Sequence, residues 1–206
     1  MSKPRSGPRP SAKREAVLDA AQTVFLEVGY AAASMDSVAA GAGVSKATVY
    51  AHFDSKDQLF AAVIRRRCER SEAFALADRT LDARAALTGI GRRLMDLLLS
   101  PEALAMYRVV VAEAVRQPEL AQAFYDSGPG AGKAQIAAIM AELIRRGELA
   151  PTDPWQAADQ FVGMLRTDYF MRTLLGLAQP EGRDVDEVIG AAVETMMRAW
   201  SNARSA

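Results

Sequence analysis

The sequence predicts an all-α protein with an N-terminal three-helix helix-turn-helix domain and a larger helical domain behind it, about nine helices in all. Three serines stand where a hydroxyl can accept from the free amides of a new first turn: Ser34, Ser45 and Ser55. From Asp82 onward the apolar residues recur with helical spacing, and prolines and glycines mark the breaks. No stretch has the alternating pattern of a strand.

Residues 1–10 are predicted to form a flexible basic arm, followed by a helix-turn-helix domain over 11–60 and a second domain over 61–206. The arm carries its cations among prolines, serines and a glycine, so it cannot bury apolar surface. It either adds nonspecific attraction to phosphate or has no role, and both interpretations stay open. The first helix is predicted from about Ser11 to Val28 and ends at Gly29, because glycine can close a helix in the left-handed conformation.

The segment from Ser34 to Ser45 has the properties of a helix-turn-helix. Ala39 is small enough for close helix approach, and Gly43 can turn the chain in the left-handed conformation. The helix from Ser45 to about Ala51 is too short to be stable alone. Apolar residues on one side must therefore anchor it to its neighbours: Val44, Val49 and Phe53.

The other side of this short helix carries hydrogen-bonding residues, and no acidic residue interrupts it. A helix in the DNA major groove needs donors at its N-terminal end and a small residue where the backbone comes close. We expect contacts to base edges from Lys46, Ala47 and Thr48. We expect contacts to phosphates from Ser34, Ser45, Tyr50, His52 and Lys56. The next helix begins with a predicted capping box in which Gln58 reaches back to the Ser55 amide.

The run GVSKATVYAHFDSKDQLF, residues 43–60, resembles the DNA-binding domain of TetR-family transcriptional regulators, whose recurring pattern is close to GVSKGTLYxHFxSKExL. The likeness extends over about residues 11–60, with Ala47 for the usual Gly and Val49 for the usual Leu. It implies a regulator, most often a repressor, that docks this helix on double-stranded DNA. One module reads only a half-site, so we expect a homodimer on a pseudo-palindromic operator.

The fourth helix is predicted from Lys56 to about Ala77. Its Arg65–Arg67 run is interpreted as a solvated face, and Cys68 as a small side chain without a redox role. With a single cysteine and a single histidine, neither an internal disulfide nor a structural zinc site is expected. We expect no metal and no cofactor.

Composition and charge narrow the class of protein further. Apolar runs are interrupted by charges before they reach membrane length, and the N-terminus has no signal-peptide pattern, so we expect a cytoplasmic protein with no membrane partner. Formal net charge is zero, yet residues 1–70 hold 11 Lys/Arg against 7 Asp/Glu and residues 71–206 hold 14 against 18. A basic module on an acidic body suits a protein that meets phosphate at one end.

Six helices are predicted in the second domain, with bounds Asp82–Leu99, Pro101–Arg116, Glu119–Asp126, Ala131–Arg146, Pro154–Leu177 and Asp184–Ser201. The last two are apolar around so much of their circumference that one neighbour cannot cover them. A two-fold four-helix bundle with a second copy would do so. The residues predicted at this dimer interface are Trp155, Val162, Tyr169, Val185, Ile189, Ala192, Met196 and Trp200.

Residues 107–129, YRVVVAEAVRQPELAQAFYDSGP, resemble TetR-family members with AefR-like C-terminal domains. This resemblance implies a small hydrophobic or amphipathic effector whose binding moves the fourth helix. Candidate effector-binding residues are Met106, Tyr107, Phe124, Tyr125, Met164, Asp168 and Met171, which are otherwise plain core residues. Asp168 either pairs with Arg172 one turn on or faces a cavity.

One motif is rejected and one alternative function is retained. Gly128–Lys133 has the composition of a phosphate loop, but Ser127 and Ala134 replace residues that loop requires, so it is predicted to be a flexible connector. His52 has no nucleophile or carboxylate set beside it, so we expect no catalysis. An enzyme or protein-interaction module with an incidental helix-turn-helix remains the alternative to a DNA-binding regulator.

Overall fold

The computed structural model describes residues 12–70 and 81–200, and every regular element in these ranges is helical. The helices are α1 (Ala12–Ala32), α2 (Met35–Ala42), α3 (Lys46–Tyr50), α4 (Lys56–Arg70), α5 (Ala83–Leu99), α6 (Pro101–Glu113), α7 (Pro118–Tyr125), α8 (Ala131–Arg145), α9 (Pro154–Leu165), α10 (Asp168–Leu175) and α11 (Val185–Trp200). The predicted all-α class is confirmed. The predicted basic arm at 1–10, the extension of the fourth helix to Ala77 and the side chain of Cys68 lie outside the described residues.

The described chain divides into two compact units. The N-terminal unit comprises residues 12–65 and 109–124, and the C-terminal unit comprises residues 66–70, 81–108 and 125–200. The predicted boundary after residue 60 differs from this division, which falls inside α4, inside α6 and at the last residue of α7. A helix that continues through a boundary carries no proline, glycine or change of pattern to mark it.

The core of the N-terminal unit is built around three aromatic rings. Phe25, Tyr30 and Phe60 lie with centroids 5.2–5.6 Å apart, one pair stacked and two edge-on. All three side chains are buried. Helices α1 and α2 approach closely at Gly41, where an added Cβ would lie 3.3 Å from the Cβ of Ala20. Gly41 therefore brings the helix-turn-helix against its scaffold helix.

Gly29 interrupts α1, as predicted. Its φ of 77° and ψ of 169° belong to a region that essentially only glycine adopts. The helical conformation resumes for one further turn, which ends at Ala32 rather than at Val28. This additional turn carries Tyr30 into the aromatic core.

The core of the C-terminal unit is formed by α5, α8, α9 and α11. Its fully buried side chains include Leu87 and Met95 from α5, Met140 from α8 and Phe161 from α9. Helices α5 and α11 come close at Gly91, where an added Cβ would lie 2.9 Å from Cγ2 of Ile189 and 3.6 Å from the Phe161 ring. The two helices can pack at this distance only because residue 91 has no side chain.

The single helix predicted over Pro154–Leu177 is wrong, because the chain leaves helical geometry between α9 and α10. Arg166 has φ −87° and ψ 50°, and Thr167 is the extended N-cap of α10. The guanidinium of Arg166 lies 5.6 Å from the Tyr107 ring centroid and 5.1 Å from that of Phe170, and it donates to the Tyr107 hydroxyl at 2.9 Å. These contacts stabilise a break that helical periodicity does not reveal.

The connector predicted to be flexible is a regular element. Residues Asp126–Gly130 form a π-helical turn that leads directly into α8. A Cβ at Gly130 would lie 3.0 Å from the Tyr125 carbonyl oxygen and 3.2 Å from the Tyr125 ring, so a side chain there would require Tyr125 to shift by a few tenths of an ångström. No helix in the described ranges has both the length and the apolar character needed to cross a bilayer.

We expect Gly91→Val to lower the free energy of unfolding by about 1–3 kcal/mol, because the new side chain must displace Ile189 or Phe161. Gly89→Val is the matched control, since an added Cβ at Gly89 on the same helix meets nothing within 4 Å. Urea unfolding followed by circular dichroism compares the two. Equal stability of both variants would contradict the close packing of α5 on α11.

Candidate nucleic-acid interface

The turn between α2 and α3 is set by local hydrogen bonds. Ser34 caps α2 by accepting from the Ser37 amide at 3.0 Å, and the Ser37 hydroxyl accepts from the Ser34 amide at 3.0 Å. Gly43 ends α2 at φ 64°, the left-handed conformation predicted for it. Ser45 then caps α3 by accepting from the Thr48 amide at 3.2 Å. All three serine start signals, including Ser55 before α4, are confirmed as N-caps.

Helix α3 presents a mostly exposed polar surface. Within its five residues only Val49 is fully buried, and it anchors the helix as predicted. Thr48 is half-buried and bonds to the Ser45 hydroxyl at 2.9 Å. The residues of the predicted base and phosphate contacts that are exposed on and beside α3 are Ser34, Ser45, Lys46, Ala47, Tyr50 and His52. The arrangement leaves one polar face of a capped helix exposed to solvent.

An acidic residue from outside α3 reaches this face. Nζ of Lys46 donates to Oδ2 of Asp36 at 2.9 Å, and both side chains are more than half exposed. This hydrogen bond, together with the charge of the carboxylate, raises the pKa of Lys46. Sequence reasoning missed Asp36, because it lies on α2, ten residues before its partner. Helix periodicity contains no signal for a contact between two helices.

The prediction that Lys56 binds phosphate requires correction. The Lys56 ammonium donates to the carbonyl oxygens of Tyr30 at 2.8 Å and Ala33 at 3.1 Å, and it lies 4.3 Å from the Tyr30 ring centroid. Its donors are therefore used to satisfy carbonyls at the end of α1. Gln58 also differs from prediction: its side-chain oxygen accepts from the Asp54 amide at 3.3 Å, not from the Ser55 amide.

Tyr30 and Asp57 form a second connection between α1 and α4. The Tyr30 hydroxyl donates to Oδ1 of Asp57, and the tyrosine is only 2% exposed. Burial raises the pKa of Tyr30 well above its ordinary value, and the neighbouring Asp57 carboxylate raises it further. Together with Lys56, this contact holds the first turn of α4 against the last turn of α1.

The predicted effector-binding residues are not gathered at one internal site. Met106 is buried, Tyr107 packs edge-on against the Phe170 ring at 6.0 Å, and Met164 lies on an outward groove described below. Phe124 is half-buried within the N-terminal unit. Tyr125 and Met171 are each 49% exposed, and their contact with an effector stays a prediction.

Asp168 lines a surface groove together with Met164 and Arg183, so its contact with an effector stays a prediction. Its side chain is 58% exposed and lies 3.9 Å from the Arg183 guanidinium, and it does not pair with Arg172 as the sequence suggested. Arg172 instead donates to the Ala178 carbonyl at 2.8 Å, beyond the end of α10. The helix break at Arg166 places Asp168 at the first turn of a new helix, which helical numbering from Pro154 does not anticipate.

The dimerisation residues predicted on α11 require correction as well. Ile189, Ala192 and Met196 are at most 2% exposed, because they pack in the core of their own unit. Val162, Tyr169, Val185 and Trp200 are half-buried against that core, and Trp155 is 50% exposed beside Lys133. Most of the broad apolar stripe of α11 is therefore buried within one chain.

The outward side of the last helices holds two grooves of about 450 and 380 Å³. We call this surface the α9–α11 face. Its uncharged lining residues are Gln160, Gly163, Met164, Thr167, Val188, Ala191, Ala192, Thr195, Met196, Ala199 and Trp200. Three charged residues, Asp168, Arg183 and Glu187, also line the larger of the two grooves. Sequence reasoning missed most of the lining residues because it selected large apolar side chains. The recurrence of small residues at Ala191, Thr195 and Ala199, four apart, is the signal that could have identified the face.

In the described residues, no group of three or more histidine, cysteine, aspartate or glutamate side chains could hold a metal ion.

Two family models match the chain. The model described as "AefR-like transcriptional repressor, C-terminal domain" matches residues 85–202, and that described as "Bacterial regulatory proteins, tetR family" matches residues 17–63. The first covers more than half of the chain, and the second contains α2 and α3 complete.

Individual proteins agree with these matches. The transcriptional activator FasR of Mycolicibacterium smegmatis is 47% identical over 57 residues, which span 28% of this chain and only 26% of FasR. The transcriptional repressor Rv1474c of Mycobacterium tuberculosis is 29% identical over 143 residues, 68% of each chain. The solved structure of the flavonoid-responsive regulator FrrA is 32% identical, with a TM-score of 0.77 over 94% of this chain and 100% of FrrA.

We expect Tyr30→Phe to lower the free energy of unfolding near pH 7 by about 1 kcal/mol, through loss of the hydrogen bond to Asp57. The pKa of Tyr30 is raised in the folded state, so its stabilising effect is present below its unfolded value of 10.0 and is lost as pH rises beyond that value. Urea unfolding at pH 7 and above pH 10 should therefore show a smaller alkaline loss for the variant than for the unaltered chain. Tyr50→Phe, at an exposed tyrosine of the same unit, is the control and should leave the alkaline loss unchanged.

Proposed function

The chain belongs to the TetR family of bacterial transcriptional regulators, with an AefR-like C-terminal domain, and from this premise we propose that it binds a pseudo-palindromic DNA operator as a homodimer. We further propose that a small hydrophobic or amphipathic effector releases it. A protein with this activity works where the chromosome is, in the cytoplasm. The relatives reported above are named as transcription regulators, which gives no support to the enzyme alternative.

The observation that carries the proposal is the exposed polar face of α3 at the end of a capped turn. Ser45 satisfies the Thr48 amide, Val49 is fully buried in the core, and Lys46 stands exposed at the first helical position. A major groove can accept a helix presented in this way, with donors at its N-terminal end meeting base edges and phosphates. We retain Lys46, Ala47 and Thr48 for base edges and Ser34, Ser45, Tyr50 and His52 for phosphates.

Lys56 takes a different part in the proposal. Its side chain supports the joint between α1 and α4, while the N-terminal end of α4 still offers backbone amides and a partial positive charge. We therefore propose that any phosphate contact at this position is made by the helix end rather than by the lysine ammonium.

Dimerisation is proposed through the α9–α11 face. Gly163 on α9 and Ala191 and Ala199 on α11 are exposed, and an added Cβ at Gly163 meets nothing within 4 Å. Small side chains let helices from a second copy approach closely, and a two-fold axis then places the same residues on both sides. This proposal replaces the buried residues of α11 with their exposed neighbours.

Repression is proposed as the outcome of operator binding. Rv1474c, which aligns over 68% of this chain, is named a repressor, whereas the match to the activator FasR spans only 28% of it. FrrA is named flavonoid-responsive, so planar polyphenols are the first effectors to try. In the operator assay below, a flavonoid that binds the DNA-free state better should release the protein from DNA. Unchanged operator binding at saturating flavonoid would exclude this effector class.

We expect Lys46→Ala to weaken operator binding about ten- to a hundredfold and to reduce the preference for the operator over unrelated duplex DNA, because a donor to a base edge is lost. Gel shifts with fragments flanking the chain's own gene, at several salt concentrations, provide the measurement. Arg92→Ala, which removes an exposed cation from α5, is the control and should bind as the unaltered chain does. If the unaltered chain prefers no fragment, the proposed function fails; if Lys46→Ala alone binds normally, only the base contact fails.

We expect the double variant Ala191→Arg, Ala199→Arg to shift the chain from dimer to monomer, raising the dimer dissociation constant by about tenfold or more, since like charges would meet across the two-fold axis. Light scattering after size exclusion measures the mass at several protein concentrations. Ala138→Arg is the control, because Ala138 is an exposed alanine on α8 that lines neither groove. A double variant that stays dimeric would place the interface elsewhere.

A further inference from the structure

The ion pair between Asp36 and Lys46 connects the two helices of the helix-turn-helix on their exposed side. The carboxylate belongs to the first turn of α2 and the ammonium to the first residue of α3, with 2.9 Å between Oδ2 and Nζ. Side-chain exposures are 65% for Asp36 and 56% for Lys46. The pair therefore lies on the surface that the proposed function directs toward DNA, and the inference below rests on that function.

The pair is not needed to build the fold. Ion pairs between exposed side chains contribute little to stability. Helix α2 already has a complete capping box at Ser34 and Ser37, and α3 has its cap at Ser45 and its anchor at Val49. The main physical effect of the ion pair is therefore on which groups the Lys46 ammonium can bind.

A lysine ammonium has three donors, and Asp36 occupies one of them. The remaining donors can bind neutral acceptors, such as O6 and N7 of guanine, without breaking the pair. A phosphate oxygen that approaches the same ammonium also approaches the carboxylate, and the two negative charges repel at that distance. The ion pair with Asp36 therefore weakens binding of the Lys46 ammonium to a phosphate more than its binding to a base edge.

We propose that Asp36 is a specificity-determining residue: it positions the Lys46 ammonium for base edges and weakens the attraction of Lys46 for the phosphates of nonspecific DNA. The proposed division of roles is that Lys46 makes the contact and Asp36 acts through Lys46. Holding the flexible lysine side chain in one place also reduces the entropy lost when it binds a base.

The test measures binding of full-length Asp36→Asn to operator and to unrelated duplex DNA over a range of salt concentrations. Removal of the carboxylate frees Lys46 for one more phosphate, so the nonspecific salt slope should steepen by up to about 0.9 and nonspecific affinity should rise about three- to tenfold at low salt. Operator affinity should change less, so the ratio of operator to nonspecific affinity falls. Glu27→Gln makes the same change in net charge at an exposed position of α1 and should leave that ratio unchanged.

A second background separates positioning from a purely structural effect. If Asp36 acts through Lys46, Asp36→Asn should have no effect on the ratio when Lys46→Ala is already present. A role limited to the charge at the start of α2 would change unfolding midpoints, and would change binding to both DNAs alike in either background. Both side chains are exposed, so neither substitution empties the core.

The outcomes are distinguishable from failure of the proposed function. An unaltered chain without operator preference would reject that function. An unaltered chain that prefers its operator, with Asp36→Asn behaving as Glu27→Gln does or keeping its effect in the Lys46→Ala background, would reject the role of Asp36 alone.

Discussion

The joint between the end of α1 and the start of α4 is the constraint on which the helix-turn-helix depends. Lys56 satisfies carbonyls left free at the end of α1, and Tyr30, carried inward by the break at Gly29, donates to Asp57. Helix α3 has five residues and one fully buried side chain, too little to be stable by itself. Its position must therefore come from its neighbours: α3 packs on α2, α2 packs on α1 at Gly41, and the joint holds α1 to α4.

Two lysines of similar sequence setting consequently have opposite roles. Lys56 is half-buried and donates its hydrogen bonds to carbonyl oxygens of the protein. Lys46 is exposed, and only one of its three donors is used in the contact with Asp36. The charged residues of a motif therefore predict an interface, but they do not show which of the cations lies at that interface. The difference arises from what each lysine lies beside. The first residue of α4 lies beside the end of α1, whose carbonyl oxygens would otherwise lack hydrogen-bond partners. The first residue of α3 does not lie beside such a helix end.

In the C-terminal unit, too, the sequence does not show which residues pack inside the unit and which remain exposed. Helix α11 has an apolar stripe broad enough to suggest two partners, yet Ile189, Ala192 and Met196 all pack within their own unit. The α9–α11 face, with its two grooves, exposes smaller residues beside that stripe together with the charged residues Asp168, Arg183 and Glu187. Ile189 packs closely against Gly91 and is therefore not available to a second copy. The residues that remain exposed are small or polar, so a search for large apolar side chains does not select them.

Local chemistry in the sequence determined the helical class, the serine caps at residues 34, 45 and 55, the turn at Gly43 and the anchor at Val49, since each depends on neighbours within one or two turns. The same local signals identified the exposed polar surface of α3. Only the tertiary structure decided the partner of Lys46, the internal use of Lys56, the break at Arg166 and the face of α11 that remains outside. Each of these results from contacts between helices distant in the chain, for which helical periodicity carries no information.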